Sequence, residues 1–256
     1  MRRYLLPILA VLVLALVLGD RLRQQLAAPA SPPQPRSAGL GGTAAPDRNG
    51  DQPADNPGLA SSRARVATRA RLQRDGSGTY LDSLLLTTDS VLRRWPRPLG
   101  SPLRVAIIEG GSPQYQPVMS EHVREALAVW EDAGLGLRFL LAADTGSADI
   151  VILWVEKFSI DRTGQTDLTW DQYGRVRRAI ISLATQDTRG MLLPEVGLKA
   201  VVVHEVGHAL GLPHSADPGD VMFPEPRSAM LSERDRQTVR LLYDLPPGSI
   251  AEAGRR

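Results

Sequence analysis

The chain contains no cysteine. That excludes a disulfide framework and a lipid anchor attached through sulfur, so stability has to come from an apolar core, with bound ions as a further source to consider. Lysine is almost missing as well, Lys157 and Lys199 being the only two, and arginine supplies the remaining cations. The formal net charge is +2, too small to argue for a nucleic-acid partner. Histidine occurs four times, and three of those four fall in one short stretch near the C-terminus.

Large apolar side chains are scarce between residues 27 and 62, where Pro, Gly, Ala and Ser dominate. Such a segment cannot bury enough surface to offset the entropy of ordering it, and it reads as a flexible tether. The next residues, 63–76, carry Arg63, Arg65, Arg69, Arg71 and Arg74 and extend the linker as a solvated basic stretch, contact with anionic lipid head groups or nucleic acid being the alternative. The expected organisation is therefore a targeting segment over 1–26, a linker over 27–76, a folded domain over 77–248 and a tail over 249–256. A domain of about 170 residues buries one core and is too small for two.

The N-terminus holds the one long apolar run. Residues 4–19 follow Arg2 and Arg3 and precede Asp20, Arg21 and Arg23. At 1.5 Å per residue the run spans about 24 Å, short of the roughly 30 Å hydrocarbon core, which leaves a cleaved signal peptide and a retained membrane anchor both open. Charges follow the run at once and no small-residue cleavage site sits beside it, which favours the anchor with its N-terminus inside. Either way the folded domain is exported.

The chemistry is concentrated in His204-Glu205-Val206-Gly207-His208 and the residues after it, Gly211 and His214. On a helix His204 and His208 lie one turn apart on the same face, so both imidazoles reach one ion at about 2.0–2.1 Å. Glu205 follows the first ligand and can take a proton from a water activated by the ion without itself occupying the metal. Gly211 ends the helix in the left-handed conformation and the turn delivers His214. The set predicts one catalytic zinc ion. His122 lies apart on an amphipathic helix and reads as a structural or solvated imidazole.

With Ser215, Asp217 and Met222 behind it, this motif resembles the metzincin clan and, within it, the matrixins, the family of the matrix metalloproteinases. The resemblance implies an α+β catalytic domain: a twisted, mainly parallel sheet with three helices and a zinc cleft between an upper and a lower subdomain. It implies a zinc-dependent endopeptidase acting on protein or peptide outside the cytoplasm, with Met222 forming a soft apolar floor under the imidazoles. It also implies that the substrate pairs with an edge strand near residues 164–170, and that Ala200, Val221, Phe223 and Pro224 form the pocket for the side chain after the cut. The element order read from pattern agrees: strands over 103–108, 137–141, 150–155, 164–170 and 178–183, and helices over 118–133 and 195–210. A last helix, opened by a capping-box variant at Ser232 and Asp235, ends at Tyr243.

Three departures follow from the same residues. The family's cysteine-based latency is excluded, and its second, structural zinc lacks ligands because only His122 lies upstream of the motif. Calcium stays unassigned, with Asp161, Asp167 and Asp171 as oxygen donors to consider. Two other functions fit the motif: a zinc hydrolase of a non-peptide envelope substrate, and a catalytically inactive zinc-binding module.

Overall fold

The computed structural model describes residues 57–86, 90–96 and 101–250; the apolar run over 4–19 and most of the expected linker lie outside them. Among the described residues no helix is long and apolar enough to cross a membrane.

Helix α1 spans Pro57–Asp75 and a short helix α2 spans Ser83–Leu86. Strand β1 (Val91–Leu92) and strand β2 (Leu103–Ile107) precede helix α3 (Pro117–Glu131). Strands β3 (Phe139–Leu141), β4 (Ile150–Val155), β5 (Gly164–Trp170) and β6 (Val176–Ala184) then lead to helix α4 (Glu195–Ala209), helix α5 (Glu233–Asp244) and strand β7 (Gly248–Ser249).

Five strands form one sheet in the order β3-β2-β4-β6-β5. The first four run parallel and β5 pairs antiparallel with β6, Gly164 opposite Leu183 and Thr166 opposite Ile181. The sequences explain the placement. β4 is apolar at every position and sits between β2 and β6, as a strand covered on both faces must. β5 mixes Gly, Gln, Thr and Asp with Leu and Trp, and it takes the edge, where one row of backbone groups stays unpaired by the sheet.

Helix α4 is buried on almost every side, with Leu198, Val202, Val203 and Val206 at 3 % exposure or less. A helix apolar all round belongs in the interior. Its carbonyls are satisfied by indole and phenol donors from other elements: Trp130 Nε1 donates to Val203 O at 2.8 Å, Trp95 Nε1 to Ala209 O at 2.9 Å and Tyr243 Oη to Leu210 O at 3.2 Å. The last two serve the end of the helix, where carbonyls lose their intrahelical partners. Gly211 follows at φ +100°, and a Cβ there would run into Arg93 O.

The domain boundaries differ from the sequence expectation at both ends. Residues 57–75, read as linker, form a helix of 19 residues in which Thr68 and Leu72 are buried. It is tied to the C-terminal end, Arg69 Nη1 donating to Ile250 O at 2.8 Å and Arg71 Nη1 to Asp244 O at 3.3 Å. The arginines thus act partly as carbonyl donors, and the apolar face is too narrow to show as a helical period. At the other end Gly248 and Ser249, read as tail, pair with β1, and Ile250 is 1 % exposed.

Candidate active site

Helix α4 brings His204, Glu205 and His208 to one wall of a cleft, and the turn at Gly211 returns His214 to them. One ligand nitrogen from each histidine lies within 4.8 Å of the others, and His208 Nε2 is 3.1 Å from His214 Nε2. Two of the rings are held by their far nitrogens: His204 Nδ1 is 2.8 Å from Val221 O and His208 Nδ1 is 2.8 Å from Leu212 O. A carbonyl only accepts, so each Nδ1 carries the proton and each Nε2 keeps its lone pair for a metal.

Burial, offset in part by the bond to Val221 O, pushes His204 down to about 4. Burial also pushes His208 down to about 3, with the neighbouring histidines adding to it, and lowers His214. All three are neutral at pH 7, the form that binds a cation. Three convergent neutral imidazoles fit zinc, three protein ligands and an open position being the pattern of a catalytic site. Among the described residues no other group of three such side chains converges. The purified protein should therefore bind about one zinc per chain, and elemental analysis giving two firmly held ions would overturn that count.

Glu205 is 4 % exposed. Its Oε2 accepts from Thr166 Oγ1 on β5 at 2.6 Å. Burial raises its pKa to about 7, against the opposing pull of the Thr166 bond and the Arg162 charge. Room for the carboxylate comes from Gly164, where a Cβ would lie 2.7 Å from Glu205 Cγ and 2.8 Å from Cδ.

Below the ligands Met222 is fully buried, and its carbonyl accepts from Ser215 N at 2.8 Å. The capping box of α5 reaches into this turn. Asp235 accepts from Ser232 N at 2.8 Å and also from Val221 N at 2.9 Å and Tyr80 Oη at 2.9 Å. Asp235, in the first turn of the last helix, thus holds the amide of the residue whose carbonyl orients His204. Asp220 takes hydrogen bonds from Ser215, Ser232 and Arg234. Burial alone would raise its pKa; these bonds outweigh it, so Asp220 sits below its ordinary value and pairs with Arg234 as a carboxylate. Sequence reasoning missed Thr166, Asp220, Arg234 and Tyr80, and saw Asp235 only as a cap.

The cleft holds about 800 Å³, and Gly164, Thr166 and Leu168 of edge strand β5 line it together with the histidines. Of the residues expected to shape the substrate pocket, only Pro224 lines it. Ala200 is 1 % exposed within the core, and its helix neighbours Gly197 and Val201 face the cleft instead. Val221 is buried under the ligands, and Phe223 stands beside the Arg227 guanidinium at 5.8 Å. Among the described residues the acidic residues considered for calcium form no cluster of three; Asp167 takes the Gln165 amide, and Asp171 caps a turn and pairs with Arg177. His122 is buried between α3 and α4 near Glu125 and Glu195, apart from the three clustered histidines.

A model of the matrixin family matches residues 107–244, more than half of the chain. Among individual proteins, macrophage metalloelastase of Rattus norvegicus is 30 % identical over 133 residues, covering 48 % of this chain and 28 % of that protein. Matrilysin of Felis catus is 39 % identical over 66 residues, 26 % of this chain and 21 % of the relative. Matrix metalloproteinase-25 of Homo sapiens is 44 % identical over 57 residues, 20 % of this chain and 10 % of the relative. The matched part of the chain therefore spans less than a third of each of these relatives.

Proposed function

From the premise that this chain belongs to the matrixin family, a family of metallo-endopeptidases, we propose that it is a zinc-dependent endopeptidase in which Glu205 is the general base. The observation that carries this is the convergence of three imidazoles, two locked by backbone carbonyls, with a buried carboxylate on the same wall of a cleft whose other boundary is an open strand edge.

His204, His208 and His214 would hold the metal, which when bound supplies Lewis acidity to water and to the scissile carbonyl. β5 offers its outer edge to an extended peptide by strand addition, which lays the backbone across the cleft. Glu205 receives the proton of the attacking water on a carboxylate oxygen and passes it to the leaving amine nitrogen. In the metal-free protein burial raises the carboxyl's pKa, the direction that favours proton uptake. The chain acts outside the cytoplasm in this reading, carried there by the apolar run over 4–19.

Digestion of casein and of a peptide library tests the proposal. Cleavage should stop with a zinc chelator and return on adding zinc. A zinc-loaded protein that leaves every peptide intact but hydrolyses cell-envelope material would replace the peptidase reading with the non-peptide one; a zinc-loaded protein inert towards both would be a binding module.

A further inference from the structure

We propose that Thr166 is a positioning residue for Glu205, so that β5, the strand that would receive substrate, also sets the orientation of the base. This rests on the reading of Glu205 given above. Thr166 Oγ1 has one proton and two acceptors within reach, Glu205 Oε2 at 2.6 Å and Glu205 O at 3.0 Å. The shorter contact is in the range of a hydrogen bond to a carboxylate, and in a buried site such a bond resists rotation of the acceptor more than it would in water. It takes up Oε2 alone. Among the described residues no donor is bonded to Oε1, which lies against Gly164, and in this reading it is the oxygen that takes the water proton.

Gly164 completes the slot. Residues two apart on a strand project to the same face, so Gly164 and Thr166 both meet Glu205, the first by giving way and the second by holding. Any side chain at Gly164 would displace the carboxylate that Thr166 tethers. Both residues also line the cleft. A peptide pairing with β5 would therefore bear on the strand that carries the tether, which links strand occupancy to alignment of the base. Neither residue is one of the three clustered histidines, and among the described residues neither is hydrogen-bonded to one of them.

The test compares Thr166→Val, Thr166→Ser, Glu205→Gln and the Thr166→Val/Glu205→Gln pair on one peptide substrate, with zinc content and melting temperature measured for each. Valine keeps the branched shape and removes the hydroxyl. Loss of one hydrogen bond to a charged group corresponds to a fall in kcat of about ten- to a hundredfold. KM, zinc content and melting temperature should stay close to wild type, and serine should keep most of the turnover. In the Glu205→Gln background the valine change should cost nothing further. A Thr166→Val protein with wild-type kcat, an equal loss in Thr166→Ser, or full additivity in the pair would overturn the proposal. Wild-type turnover in Glu205→Gln alone would instead sink the assignment of the base, so the two failures are told apart.

Discussion

Glu205→Gln should leave zinc bound and the fold intact while lowering peptide cleavage by about 10²–10⁴-fold, the usual contribution of a general acid–base group. Zinc is retained because the converging ligand atoms belong to His204, His208 and His214 and not to the carboxylate. The amide has the shape of the acid, and its oxygen can still accept from Thr166. What it loses is the ability to take a proton. A second readout separates chemistry from structure. In the metal-free protein burial holds Glu205 at about 7 against an ordinary 4.5, so the folded state binds the proton more tightly than the unfolded chain does. A raised carboxyl pKa means that stability falls as pH rises from about 4.5 through 7, as the folded state is forced to bury a charge. Metal-free Glu205→Gln should therefore melt above metal-free wild type at pH 8, and the gap should close towards pH 5, where the wild-type carboxyl is itself neutral. Near wild-type turnover, or a melting difference that does not change with pH, would contradict the role and the environment assigned to this carboxylate.

Local pattern carried the sequence reading a long way in the centre of the chain and failed where contacts are distant. The unbroken apolar run of β4 and the polar mixture of β5 gave the observed bounds, Ile150–Val155 and Gly164–Trp170, because burial on two faces or at an edge writes itself into consecutive residues. The helix that bears the first two ligands begins at Glu195 as expected, and the capping box at Ser232 and Asp235 forms on both sides. Helix α1 was invisible for a physical reason: with Thr68 and Leu72 as its buried pair, its place is set by Ile250 and Asp244, more than 170 positions away. The pairing of β1 with β7 joins two-residue strands from opposite ends of the domain, and no periodicity shows in two residues.

The site divides in the same way. The histidines and Glu205 are legible because ligand spacing is local to one helix and one turn. Thr166 and Glu205 lie 39 positions apart, Tyr80 and Asp235 lie 155 apart, and nothing in a lone threonine or tyrosine announces the carboxylate it meets. The place of Ala200 was taken over from the family by position along the helix; the helix residues that line the cleft here are Gly197 and Val201, one residue further round.

Gly207→Ala should cost stability and zinc together, although alanine is the better helix former by about 1 kcal/mol. Gly207 sits between the two clustered histidines of α4, and a Cβ there would meet Met222 Sδ, Met222 Cε at 3.3 Å and Trp130 Cζ2 at 2.8 Å. Neither neighbour is free to yield. Trp130 and Met222 are fully buried, the indole is pinned by its bond to Val203 O, and the methionine peptide is pinned by Ser215 N. Overpacking of a rigid site costs about 1–3 kcal/mol, which exceeds the helix gain. Relief by moving α4 away from Met222 would shift His204 and His208 relative to His214 and loosen the metal. The zinc-loaded variant should melt several degrees lower, at about 2–4 °C per kcal/mol for a domain of this size, and should lose zinc to a weaker chelator than wild type does. Gly197→Ala serves as the control on the same helix, because its Cβ would find only Pro194 Cγ at 3.5 Å and Cδ at 3.7 Å, ordinary contacts. That variant should be no less stable than wild type. If Gly207→Ala melts as high as Gly197→Ala and keeps its zinc equally well, the methionine turn yields easily and cannot be the rigid floor that fixes the three imidazoles.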